Sequence, residues 1–230
     1  MTKAELGHEQ QVDQMDRQLV AGRYRLVARI GRGQLGEIYQ ADDEGHRDLG
    51  VGRSVAIQLL PDRVTTDQGL FNKLKLGYTV LRAAPHPNIV PFLDFDHDGK
   101  FGYLVTDFLE GASLRFILDD SATLPLDEAI PVIRAVGDAL QFLHANSMVH
   151  GRLTAESVFI TENLEVRLLD VVPLDSVTTI LRGVASRDPF SRCDVADDIY
   201  GLACLAYEML VGKHPFNFHP LAEARHAGLE

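Results

Sequence analysis

A chain of 230 residues with 46% hydrophobic and 24% charged side chains can bury a real core, as one large domain or two lobes. A net charge of −11 argues against nucleic acid or an anionic membrane as the main partner. The longest apolar-rich stretch, Leu202 to Val211, is too short to span a bilayer, no signal sequence leads the chain, and the only two cysteines, Cys193 and Cys204, lack ligand-like neighbours; a reducing cytoplasm is the expectation.

Residues 1–20 are polar, with a weak helical stripe of Leu6, Val12, Met15 and Leu19, and read as a flexible tail. Short strands come next. Tyr24 to Ile30 alternates, a Gly-rich turn follows, and Gly36 to Ala41 alternates again. Residues 42–53 are charged and Gly-rich, which predicts a loop. Val55 to Leu60 is a third strand, ended by Pro61. A helix is expected over Asp67 to Arg82, then strands over Val90 to Phe95 and Phe101 to Thr106. After Gly111 the period turns helical. Ile130, Ile133, Val136, Leu140 and Leu143 share one face of Leu126 to Ala145, with Asp127 and Glu128 in the first turn, where the helix dipole favours them. Two strands, Val158 to Ile160 and Val166 to Leu169, flank a turn at Glu162-Asn163. A long loop leads to a helix over Ala196 to Val211 that is apolar on nearly all sides and so expected to be central. His214 and His219 are the nearest approach to a metal-ligand pair, and chance explains them better than a metal site.

Gly31, Gly33 and Gly36 form a Gly-x-Gly-x-x-Gly pattern. A dinucleotide-binding fold would need a helix directly after it, whereas Glu37 to Ala41 alternates like a strand. Glycines let backbone N–H groups approach phosphates closely, and a hairpin whose turn needs glycine explains them as well. Further along come Val55-Ala56-Ile57-Gln58, His86-Pro87-Asn88-Ile89-Val90, the run Tyr103 to Gly111, the run Leu143 to Val158, Asp170-Val171-Val172, and Asp198 within Ala196 to Leu202. With these motifs in this order the chain resembles the bacterial Hanks-type Ser/Thr protein kinases, from Gly22 to Phe216.

The resemblance implies an α+β bilobal fold: a sheet-rich N-lobe over 21–106, a hinge over 107–110, and a helical C-lobe over 111–230 that lacks the last helices. It assigns Gly31, Gly33 and Gly36 to the nucleotide phosphates and Ile30, Ile38, Ala56 and Phe159 to the adenine faces. Thr106 becomes the gatekeeper, and Asp107 and Leu109 present backbone groups to the adenine edge. The same side chains would serve equally well as core.

The chemical positions depart from the family. Gln58 stands for the phosphate-binding Lys, and the Glu that should pair with it falls at Leu74 or Gly77. Losing both halves of a buried ion pair is coherent, since losing one strands a charge. Arg152 replaces the proton-accepting Asp, Thr154 the loop Lys, and Ser157 the metal-binding Asn. Asp170 remains a candidate Mg²⁺ ligand, but Val171 and Val172 are stiff where the family has a mobile glycine. Gly151 removes an arginine that reads phosphorylation, so Ser176, Thr178 and Thr179 lose that receptor; Pro189-Phe190 replaces Pro-Glu. Asp198 matches the residue that braces the catalytic loop from below.

Guanidinium cannot accept a proton at any relevant pH. Loss of acid–base help costs about 10²–10⁴-fold, and loss of one positioned electrostatic donor about 10²–10³-fold. The expectation is a pseudokinase: a scaffold or regulatory module that binds another protein, a kinase or signalling component, with ATP binding weak or absent and Mg²⁺ only at Asp170. Arg152 and Asp170 are expected to pair across the vacant site. The alternative is a nucleotide-dependent transferase using Asp170 with displaced basic residues Arg32, Arg53 or Arg152.

Overall fold

The structure, a computed structural model, describes residues 19–45, 53–173 and 194–215. They fall into two compact units. One combines the residues before Ala84 with Pro91–Phe108, and the other combines Ala84–Val90 with the residues from Leu109 onward.

The first unit is a six-stranded antiparallel sheet in the order β1-β2-β3-β4-β6-β5. Its strands are β1 (Leu19–Val20), β2 (Tyr24–Gly33), β3 (Gly36–Asp43), β4 (Arg53–Leu60), β5 (Phe92–His97) and β6 (Gly102–Asp107). Two-residue alternation sorts the side chains. Tyr39, Ala41, Val55, Ile57, Tyr103 and Val105 share one face and join Val20, Tyr24 and Leu26 in the core. The other face carries Ile38 opposite Gln58 and Ala56 opposite Thr106. Helix α1 (Asp62–Thr65) precedes α2 (Gln68–Ala83). Phe71 of α2 meets Phe95 with ring centroids 5.0 Å apart, Tyr78 meets Phe92 and Phe95 at the same separation, and Lys75 pairs with Asp96 at 2.8 Å.

Two sequence expectations shift here. Leu19 and Val20, assigned by sequence to a tail over residues 1–20, instead pair with β2, and Val20 is fully buried. Asp42, Asp43 and Arg53, assigned by sequence to a loop over residues 42–53, are strand residues, since β3 runs to Asp43 and β4 begins at Arg53.

The second unit holds β7 (Gly111–Ser113), α3 (Leu114–Ser121), α4 (Leu126–Ala145), β8 (Val158–Thr161), β9 (Val166–Leu168) and α5 (Val195–Val211), with the three strands forming one sheet. Helix α3 starts where the Ser113 hydroxyl accepts the Phe116 N–H at 3.2 Å. On α4 the buried stripe is Ala129, Val132, Val136, Ala139, Leu140 and Leu143, while Ile130 is exposed. Helix α5 opens on a reciprocal cap. Asp194 accepts from the Ala196 and Asp197 N–H groups, Asp197 accepts from the Asp194 N–H, and Gly212 closes the helix in the left-handed conformation. The helix expected to be central buries one side only: Ile199, Tyr207, Leu210 and Val211 are exposed.

The segment Ala84–Val90, assigned by sequence to the sheet-rich lobe, belongs to the second unit. Pro87 and Pro91 keep it from continuing as a strand. Instead Leu168 donates its N–H to the Asn88 carbonyl (2.8 Å), Val90 donates to the Leu168 carbonyl (3.1 Å), and the Asn88 amide donates to the Val166 carbonyl (3.1 Å). The His86 ring packs on Phe142 at 5.0 Å and its Nδ1 accepts the Asn88 N–H at 3.1 Å.

Burial pushes the His86 imidazole below its ordinary pKa, with Asp138 opposing weakly. The unfolded chain therefore takes up the His86 proton first, at about pH 6.5. Its stabilising contribution is full above that pH and declines as pH falls through and below it. Melting curves from about pH 7.5 to about pH 5 should show His86→Gln losing less stability on acidification than the parent. Equal slopes for the two would contradict this assignment.

Candidate functional site

In the first unit the candidate residues gather at the β2–β3 hairpin and the sheet face beside it. Gly33 pairs with Gly36 across a turn made by Gln34 and Leu35. Gly36 has φ 146°, and a side chain there would overlap the Leu59 carbonyl, so backbone geometry alone requires this glycine. Gly31 meets no such constraint: a Cβ added there would have open space around it.

Gln58 is 7% exposed, and its amide Nε2 donates to the Gly36 carbonyl at 3.3 Å. On α2 the buried face is Leu70, Phe71, Leu74, Tyr78 and Leu81, with Leu74 fully enclosed and Gly77 only partly so. An amide spent on the backbone thus occupies the position that the resemblance gives to the lysine, and neither Leu74 nor Gly77 brings a carboxylate for the glutamate.

Ile38, Ala56 and Thr106 are partly buried and share one sheet face, as an adenine-sized surface would need. Ile30 does not join them. It sits in a bulge between the paired residues Arg29 and Gly31 and is 48% exposed. Asp107 donates its N–H to the Pro91 carbonyl (3.1 Å), and its carboxylate pairs with Arg53. Arg29 and Arg32 both reach Glu37, Arg32 at 3.6 Å. The displaced arginines Arg32 and Arg53 therefore already have local carboxylate partners.

In the second unit a buried carboxylate organises the loop after α4. Asp198, with 0% exposure, accepts the His150 N–H at 2.9 Å, the Gly151 N–H at 2.7 Å and the Nε2–H of His144 at 2.8 Å. Gly201, one turn further along α5, lets the helix lie against the loop; a Cβ there would come within 3.0 Å of the Leu153 Cβ. His150 continues the network. Its Nδ1 accepts the Arg152 N–H at 3.3 Å, so its Nε2 carries the proton and donates to the Leu169 carbonyl at 2.9 Å. Leu169 in turn donates its N–H to the Ser157 carbonyl at 2.8 Å. Asp170 follows directly, held at φ 60°, and Val171 and Val172 are buried.

The side chains on this frame are turned to local use. The buried Ser157 hydroxyl donates to the Thr154 carbonyl (2.8 Å) and accepts the Thr154 N–H (3.1 Å), which leaves little of it for a metal. The expected pair is not formed: Arg152 is exposed, and among the described residues no ion pair joins it to Asp170. A guanidinium that stays in water avoids the desolvation that pairing in the site would demand. Phe159 is partly buried on β8 between Ser113 and Arg167, and Leu109 is also partly buried.

Arg115 of α3, which the motif spacing did not single out, reaches Glu208 at 2.6 Å, Glu156 at 3.4 Å and Asp119 at 3.6 Å. Against the upward push of burial, the Thr154 hydroxyl, a backbone N–H and Arg115 hold the Glu156 carboxyl below its ordinary range. The network ties α3, α5 and the loop at Glu156 together. Ser176, Thr178, Thr179, Pro189, Phe190 and His219 lie outside the described residues.

Residues 24–177 match the family described as protein tyrosine and serine/threonine kinase. The chain belongs to this protein kinase family. The kinase domain is 28% identical over 220 residues to the serine/threonine-protein kinase pkn2 of Myxococcus xanthus, covering 88% of this chain and 26% of that protein. It is 27% identical over 211 residues to a probable serine/threonine-protein kinase PknB of Lactococcus lactis, covering 86% and 33%. The chain therefore spans about a quarter to a third of the length of these curated relatives. In fold it is similar to the PknI kinase domain of Mycobacterium tuberculosis, with a TM-score of 0.67 at 22% identity, over 90% of this chain and 81% of that one.

Kinases of this family use ATP and Mg²⁺. Ile38, Ala56 and Thr106 suit a flat base, but Gln58 in the first unit does not fit a phosphate, nor Ser157 in the second a metal. Gln58 brings no charge, the Ser157 hydroxyl is committed to Thr154, and among the described residues no cluster of three or more His, Cys, Asp or Glu could hold a metal.

Asp198→Ala should destabilise the kinase domain by about 3 kcal/mol or more, because it leaves two backbone N–H groups and His144 without their charged acceptor. Arg152→Ala, at an exposed site, should change stability by no more than about 0.5 kcal/mol. Urea unfolding midpoints of the two variants check both values.

Proposed function

We propose that this protein kinase domain is a pseudokinase, acting as a scaffold or regulatory module for another signalling protein rather than as a phosphotransferase. The observation that carries the proposal is Arg152. The loop backbone around it is fixed by Asp198 and His150, yet the side chain at the proton acceptor's position is an exposed cation. A guanidinium cannot take the proton of a hydroxyl nucleophile. Gln58 removes the phosphate-binding charge as well.

ATP binding is weak or absent in this account, and Asp170 is the one carboxylate proposed for Mg²⁺. The transferase alternative draws no support from the arginines it requires, since Arg32 is engaged by Glu37 and Arg53 by Asp107. The partner is proposed to be a protein, a kinase or another signalling component; the net charge of −11 favours one with a basic surface and disfavours nucleic acid. No helix among the described residues is long and apolar enough to cross a membrane, and a cytoplasmic location is proposed on composition.

Incubated with radiolabelled ATP and Mg²⁺, the purified chain should label neither itself nor a basic protein substrate above an Asp170→Ala control. The expected rate is about 10⁴-fold or more below ordinary kinase turnover. Transfer that depends on Asp170 would overturn the proposal.

A further inference from the structure

Helix α5 turns an apolar side outward. Val195, Ile199, Tyr207, Leu210 and Val211 are each between 42% and 59% exposed, on a helix of 17 residues. Its three acidic residues face elsewhere: Asp198 and Glu208 are buried, and Asp197 closes the cap by accepting the Asp194 N–H at 3.0 Å. Monomeric soluble proteins rarely leave a contiguous apolar face of this kind in water, and such faces mark interfaces. In a chain of net charge −11 it is also where a second copy can approach without setting like charges together.

The spacing says which partner fits. Val195, Ile199, Ala203, Tyr207 and Val211 recur every fourth residue and so form one oblique ridge, with Ala203, also exposed, at its midpoint. The ridge is balanced about that alanine: Val195 and Val211 stand equally far from it, as do Ile199 and Tyr207. Ridges of this kind interdigitate when two helices cross at about 50°, and a small residue at the crossing lets the axes come within about 8–10 Å. The ends carry opposite charge, with Asp194 exposed at the start and Lys213 exposed just past Gly212. An antiparallel crossing turns each acid toward the other copy's base, whereas a parallel one sets like with like.

We propose that the outer face of α5 binds a second copy of this chain, the two helices crossing antiparallel at Ala203 about a two-fold axis. Each Val195 then meets the other copy's Val211, each Ile199 meets the other copy's Tyr207, and the two Ala203 residues meet each other. This is the self-complementary contact that a closed dimer requires. The pairing does not rest on the pseudokinase reading, and phosphate transfer by the parent chain would leave it standing.

Sedimentation equilibrium of the full chain provides the test. From about 1 µM to about 100 µM the parent's mass should rise from that of one chain toward that of two. Ala203→Glu and Ala203→Lys each set like charges at the crossing, and each alone should associate about tenfold more weakly or less. Mixed in equal amounts they should recover the dimer, because position 203 meets its own counterpart. The site is exposed and helical, so both variants should melt as the parent does by circular dichroism. Should either not fold, Ile199→Lys mixed with Tyr207→Glu takes their place. A parent that stays monomeric throughout would leave the face to another segment of the chain or to a different protein, and would overturn the proposal. So would a dimer that survives both charges, or two folded monomeric variants that do not pair on mixing.

Discussion

A carboxylate cut off from solvent is tolerable only when its neighbours replace the water it has lost, and the second unit is arranged around one such group. Asp198 has no exposed surface and takes two consecutive backbone N–H groups together with the His144 ring. Because the donors at His150 and Gly151 are main-chain groups, the loop's shape does not depend on which side chains it displays. The tautomer of His150 then carries the order onward to Leu169, and so to the turn at Asp170. A loop held through its backbone can change its chemistry without losing its form, and this one displays Arg152.

Two of the altered positions share a second property: the substituted side chain has a nearby structural partner in place of a ligand. Ser157 closes on the Thr154 backbone, and Gln58 closes on Gly36. Leu74, one of the two positions at which the resemblance puts the paired glutamate, fills buried space on α2, where a lone carboxylate would be a stranded charge. Such replacements leave few buried polar groups unsatisfied; among the buried side-chain nitrogens and oxygens of the described residues only the Arg167 Nε lacks a partner. Both units therefore keep well-satisfied interiors, and the side chains of Gln58 in one and Ser157 in the other are committed to backbone partners.

Much of this was legible in the sequence because it rests on periodicity. Alternation located β2, β3, β4 and β6, the helical stripe located α4, and Asp198 was identified as a brace from its motif. The rest depended on information that spacing does not carry. Helix α3 and strand β7 are too short for a period to declare itself, and β1 has only two residues. The His86–Val90 segment looked like part of the sheet-rich lobe because it lies between two of its elements in the chain, but its hydrogen bonds go to β9 and its flank. Arg152 and Asp170 are aligned with positions that face each other in kinases, yet position does not fix where a long, well-hydrated side chain points.

If the loop frame stands by itself, it is held by Asp198 and needs no nucleotide. Amide hydrogen exchange at His150 and Gly151 tests it most directly. Both amides should exchange in the slowest class of the second unit, as groups bonded to a buried carboxylate do, and adding ATP and Mg²⁺ should leave their protection unchanged. Exchange at the rate of open loops, or protection that develops only when nucleotide is added, would contradict it.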